Sequence, residues 1–185
     1  MVATGLAVGG CNETAAHDGS GGATGGGGGG VAAANAGAVI NEIQAYGEEW
    51  VELANPTDEV IDLSDFGLCD EDAEGACEIA KAMRFPAGTT LPAMGYILVL
   101  TDQEGDPGPS SVCVGSVASC YHATWKVSAK DGETIRLVDP SDALVAELRI
   151  PPAATEDEAM SWSRIPDMTG EAVAATPSPG GVNTP

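Results

Sequence analysis

Apolar and polar residues alternate through Val39-Ile40-Asn41-Glu42-Ile43 and again through Glu49-Trp50-Val51-Glu52-Leu53-Ala54-Asn55-Pro56. Period two over such a stretch is the pattern of a half-buried strand. The intervening Ala45-Tyr46-Gly47-Glu48 has the length and the glycine of a hairpin turn. The alternation predicts that Val39, Asn41 and Ile43 share one face of the first strand, and that Val51, Leu53 and Asn55 share one face of the second. Asn55-Pro56-Thr57-Asp58 then ends the second strand, because proline has no N–H for a ladder and Asn-Pro favours a turn.

The same reading continues downstream. Glu59 to Asp70 predicts a short strand, a turn at Ser64-Asp65 and a second strand. Leu91-Pro92-Ala93-Met94-Gly95 is a turn. Tyr96-Ile97-Leu98-Val99-Leu100 is a continuous apolar run, which predicts a strand covered on both faces. Thr134 to Val138 alternates, Asp139-Pro140-Ser141-Asp142 turns, and Ala143 to Ile150 predicts the return strand. Ala76 to Met83 could form one turn of helix and nothing longer competes. Many short strands at turn-punctuated spacing predict an all-β sandwich. No apolar stretch reaches the 18 residues or so that a spanning helix needs.

The residues INEI, EWVELANPTDEVIDLSDFGLCD, RFPAGTTLPAMGYILVL, DGETIRLVDP and SWSRIPD, in that order and spacing, resemble a lamin-tail domain, and the ending TPSPGGVN resembles how such domains finish. The resemblance runs from about Val39 to Asn183. It implies an immunoglobulin-like β-sandwich with a role in tethering or interaction, often beside catalytic domains in larger bacterial extracellular proteins. This chain has no room for such a second domain, so the expectation is that it acts alone or in trans.

Composition divides the chain. Residues 1–37 are rich in Gly, with Gly25 to Gly30 in one run, and predict a disordered tether rather than part of a core. Residues 38–185 supply one folded domain. Val8-Gly9-Gly10-Cys11 resembles the end of a bacterial lipoprotein signal peptide, with Cys11 as the lipidated position, although no Lys or Arg precedes the short apolar run. The resulting expectation is an extracytoplasmic protein, lipid-anchored at the bacterial cell envelope or secreted, with membrane contact through that anchor alone.

The net charge of −21, from 28 acidic and 7 basic residues, opposes phosphate backbones, so nucleic acid is not an expected partner, and the chromatin association of eukaryotic relatives is not carried over. Apart from Cys11, four cysteines remain. They allow three connectivities, and the expectation is that Cys69 pairs with Cys77 and Cys113 with Cys120, each closing a short loop in an oxidising compartment. Both loops are candidate binding surfaces. No Cys-x-x-Cys occurs, so zinc is not expected.

Asp70-Glu71-Asp72-Ala73-Glu74-Gly75 matches the first half of a calcium loop, with oxygens at Asp70, Asp72 and Glu74. The second half fails, because Lys81 stands where a bidentate Glu belongs. A solvated acidic loop is the competing reading, and the same applies to Asp102, Glu104 and Asp106. Glu42 and Glu52 are expected side by side on neighbouring strands, where like charges repel. Arg164 is the expected compensating partner.

Catalytic chemistry finds little support. His122 is the one histidine of the folded part, no Gly-x-Ser-x-Gly surrounds a serine, and no carboxylate pair is marked for glycosidic chemistry. Trp50, Trp125 and Trp162 read as packing residues before a sugar platform. The expectation is therefore a non-catalytic binding or structural module with no cofactor, whose partner is a protein or polysaccharide at the cell surface. The alternative is a calcium-dependent adhesion or carbohydrate-binding module.

Overall fold

The computed structural model describes residues 37–185, apart from 118, 155, 156 and 158. The expected tether and the lipidation of Cys11 lie outside the described residues. Thirteen strands build the fold: β1 (Val39–Gln44), β2 (Trp50–Ala54), β3 (Ile61–Asp62), β4 (Gly67–Cys69), β5 (Met83–Arg84), β6 (Thr90–Leu91), β7 (Tyr96–Leu100), β8 (Gly108–Pro109), β9 (Cys120–His122), β10 (Glu133–Val138), β11 (Leu144–Ile150), β12 (Ser161–Ile165) and β13 (Glu171–Ala175). A single 3-10 turn, Ile79–Lys81, falls within the stretch expected to be helical. No described helix is long and apolar enough to cross a membrane.

One sheet has seven strands in the order β13-β12-β1-β2-β7-β9-β8, a second has four in the order β11-β10-β4-β5, and β3 pairs with β6. The seven-stranded sheet is antiparallel except where β9 runs parallel to β7. Ile40, Ile43, Val51, Leu53, Ile97 and Val99 join Leu68, Met83, Ile135, Leu137, Leu148 and Ile150 of the four-stranded sheet in one buried cluster. This is the all-β sandwich that the alternation predicts, and the immunoglobulin-like fold that the resemblance implies, with the core between two sheets. Phe85 meets Tyr121 edge-to-face in it, ring centroids 5.0 Å apart.

The phase of β1 differs from expectation. An irregularity between Ile40 and Glu42 shifts the register against β2. An extra residue in a strand breaks the period of two. Ile40 and Ile43, three apart, therefore both enter the core, and Asn41 is released from the face expected to carry it. Strand β2 keeps its phase, with Val51 and Leu53 inward and Trp50 in a different cluster.

That second cluster explains the apolar run of β7. Ile97 and Val99 face the main core, while Leu98 and Leu100 join Trp50 and Cys120 on the outer face. Val114 and Val117, from the loop that precedes β9, pack against this outer group. Disulfides join Cys69 to Cys77 and Cys113 to Cys120, with Cα separations of 5.7 and 5.6 Å. The four cysteines are not all in loops, since Cys69 ends β4 and Cys120 begins β9.

Asn55, expected to end β2, does so as a fully buried plug. Its amide donates to the carbonyls of Glu59, Leu91 and Pro92, at 2.7, 3.3 and 3.0 Å. Its Oδ1 accepts from Thr57 N at 2.9 Å and Thr57 Oγ1 at 2.7 Å. A polar side chain in such a place is tolerated because each of its groups is satisfied.

Candidate functional site

Glu42 and Glu52 are directly opposed across β1 and β2, as the sequence suggests, and both are 0% exposed. Two buried carboxylates side by side demand donors. Strand β12 provides the first. Ser163 pairs with Glu42 in the β1–β12 register, so Ser161 and Ser163, two apart, present both hydroxyls on the same face. Ser163 Oγ donates to Glu42 Oε1 at 2.9 Å, and Ser161 Oγ donates to the same oxygen.

The chain beyond β13 provides the rest. Ser178 donates to Glu42 through its backbone N–H at 3.1 Å and its hydroxyl at 3.2 Å, and Gly180 N donates to Glu52 Oε2 at 2.7 Å. Gly180 has φ +75°, and a Cβ there would lie 2.9 Å from both Val117 Cγ1 and Val117 N. Only glycine suits that conformation and that approach. Ser116 N also donates to Pro179 O at 3.3 Å. The C-terminal segment thus fits between the stapled Cys113–Cys120 loop and the two carboxylates.

Asn41 and Asp167 extend the network. Asn41 Nδ2 donates to Glu52 Oε1 at 2.8 Å and to Asp167 Oδ1 at 3.0 Å, while its Oδ1 accepts from Met168 N at 2.9 Å. Tyr96 OH donates to Asp167 Oδ2 at 2.7 Å, and Asn183 N to Asp167 Oδ1 at 3.2 Å. The β1 bulge makes this possible, because it frees Asn41 from the core face.

Burial pushes the Glu52 carboxyl up to about 8, against the opposing pull of the Asn41 and Gly180 donors. Burial also raises Glu42, opposed by Ser161, Ser163 and Ser178. Glu133 is pushed up to about 7, chiefly by burial, although Ser128 N donates to it. All three rise from an ordinary value of 4.5. The folded chain therefore binds protons that the unfolded chain has released. The stability these groups contribute is complete below the unfolded value and is lost as pH climbs through about 7 and about 8. Thermal unfolding followed by circular dichroism should give a midpoint that falls steadily from about pH 5 to about pH 8.5. Glu133→Gln, which keeps a carbonyl oxygen for Ser128 N, should flatten the part of that fall near neutrality. A midpoint that rises across the same range would contradict the buried, proton-retaining glutamates.

Arg164 does not compensate these carboxylates, contrary to expectation. It follows Ser163, which faces Glu42, so strand alternation turns it to the opposite face. There its Nε donates to Ile40 O at 2.8 Å and its Nη1 to Gly170 O at 3.0 Å. Hydroxyls and backbone N–H groups take the place of the cation. The participation of Asn41, Tyr96, Ser178, Gly180 and Asn183 has no counterpart in the sequence reading: Asn41 and Tyr96 stand in predicted strands whose pattern marks no carboxylate partner, and Ser178, Gly180 and Asn183 stand in no periodic pattern.

The remaining sequence candidates are dispersed. Among the described residues, no three His, Cys, Asp or Glu groups gather as a metal site would require. Asp72 Oδ1 faces its own turn, accepting from Glu74 N at 3.0 Å and Ala76 N at 2.8 Å. Asp70 is half-buried, with its carboxyl raised first by burial, and Glu74 is exposed. Asp102 pairs with Lys126 at 2.9 Å. His122 lies on β9 opposite Gly108. Trp50 and Trp125 are buried in the two clusters and Trp162 packs against the main one.

The chain matches the sequence model of the Lamin Tail Domain over residues 31–151. It belongs to the Lamin Tail Domain family. The comparison with curated proteins gave no match. The Lamin Tail Domain match ends before β12, so the serines, Asp167 and the C-terminal segment that enclose Glu42 and Glu52 stand outside it. As a chemical site, the carboxylate pair is closed. Neither glutamate has exposed surface, so neither reaches a dissolved substrate in this conformation, and the pair joins β1, β2, β12 and the C-terminus of this Lamin Tail Domain chain.

Proposed function

We propose that the chain is a non-catalytic binding or structural module working outside the cytoplasm, held at the envelope by a lipidated Cys11 and a flexible tether or else secreted. The observation that carries this reading is the pair of disulfides, each closing a short segment. Such bridges persist in oxidising compartments. The net charge of −21 suits a protein that remains soluble there and does not bind nucleic acid. The non-catalytic part rests on the closure of the opposed Glu42–Glu52 pair and on His122 having no partner nucleophile in the sequence pattern.

The test is thiol mapping by mass spectrometry on protein from its native source, denatured without reductant. Cys69, Cys77, Cys113 and Cys120 should all resist alkylation, and free thiols at these positions would contradict the reading. Calcium-dependent adhesion is the competing outcome. Because Asp72 already serves its own turn, thermal unfolding should be the same with excess calcium and with chelator. A midpoint raised by several degrees with calcium would move the conclusion to that class.

A further inference from the structure

We propose that the groove lined by β10, β11, β12 and β13 binds a small molecule carrying one carboxylate on a six-membered ring. This deepens the proposed binding function and rests on it. The groove has a volume of about 380 Å³ and brings together Arg136, Arg149, Arg164 and Trp162, with Glu147, Glu171 and Thr134. Such a size suits a compact ligand.

The charge distribution singles this groove out. The chain carries 28 acidic and 7 basic residues, so every cation has a choice of partners. Lys81, Arg84, Lys126 and Arg136 each form an ion pair. Among the described residues, Lys130, Arg149 and Arg164 form none, and the two arginines line the groove. Arg149 is exposed, with Thr134 Oγ1 at 3.5 Å as its hydrogen-bond contact, at the limit of such a bond. Arg136 is oriented by Glu147, 3.2 Å from its Nε, and its Nη1 is buried with no hydrogen-bond partner. A buried guanidinium nitrogen without a partner is costly and calls for an acceptor.

The chemistry of the ligand follows. Guanidinium groups match planar carboxylates through paired N–H donors. A tryptophan beside them offers a flat apolar surface for a ring. The number of negative charges is limited by the rest of the molecule. A chain at −21 repels a polyanion at long range, while one carboxylate within the groove meets the arginines at short range, where screening is weak. Two sources offer this chemistry, a sugar acid and an aromatic acid.

The experiment is nuclear magnetic resonance titration of the oxidised chain, read at the Trp162 indole, with glucuronate, benzoate, glucose and citrate as probes. Glucuronate or benzoate should shift the Trp162 signal with saturation, and which of them binds more tightly identifies the sugar or the aromatic source. Glucose should not shift it, and citrate should bind more weakly than either. Arg149→Ala, at an exposed position, should weaken binding roughly tenfold, the loss of one charge-assisted hydrogen bond. Absence of any saturable shift, tighter binding of citrate, or binding unchanged by Arg149→Ala would each overturn the proposal. None of these outcomes bears on the disulfide mapping, so the groove can fail while the extracytoplasmic module stands.

Discussion

Asn41→Asp should destabilise the fold by about 4 kcal/mol at neutral pH, in the range for a buried charge left without its partner. Asn41 is 0% exposed, and its amide is the donor shared by Glu52 and Asp167. Ionised aspartate has nearly the same shape but only accepts, so it would lose both donated hydrogen bonds, meet repulsion from Asp167 and leave its own charge buried. The acceptor for Met168 N would survive, which confines the change to the amide nitrogen. In a domain of this size the loss corresponds to a midpoint lower by roughly 12 °C. It should diminish at about pH 4, where the added carboxyl takes up a proton. Urea unfolding at both pH values measures it. An equal loss at both would mean that shape, and not charge, governs the site.

Truncation after Thr176, which deletes residues 177–185, should cost about 3 kcal/mol, as expected when buried carboxylates lose their donors. Glu42 loses both contributions of Ser178, and Glu52 loses Gly180 N. Ser161 and Ser163 still reach Glu42, so the fold should survive in weakened form. Loss of Pro179 and Gly180 also uncovers the stapled loop at Ser116 and Val117, and with it the outer cluster of Trp50, Leu98 and Leu100. Increased binding of a hydrophobic dye should accompany the lowered unfolding midpoint. A truncated chain as stable as the full one would show that the segment only rests on the sheet.

How much of this could be read from the sequence depends on which interaction is involved. Val51 and Leu53 were legible because β2 keeps a strict period of two, and the run of β7 was legible because both its faces are covered by apolar groups. The bulge in β1 was not, since an inserted residue leaves a pattern that still looks alternating while Ile40 and Ile43 both turn inward. The Glu42–Glu52 pairing followed from the hairpin register. Its compensation did not, because Arg164 is the obvious cation by chemistry yet stands one residue out of phase with Ser163. The C-terminal segment was the least legible part. It acts through backbone N–H groups, which every residue but proline carries, and no side-chain pattern marks which of them will meet a carboxylate.

Glu42 and Glu52 bind the C-terminal segment into the sandwich, and amide hydrogen exchange of the full chain, read residue by residue by nuclear magnetic resonance, measures that attachment. Ser178 and Gly180 donate to buried carboxylates, so their amides should exchange as slowly as those of the ladder between β1 and β2. Exchange of Ser178 and Gly180 at the rate of an unstructured tail, with the β1–β2 ladder still protected, would mean that the carboxylates do not hold the segment.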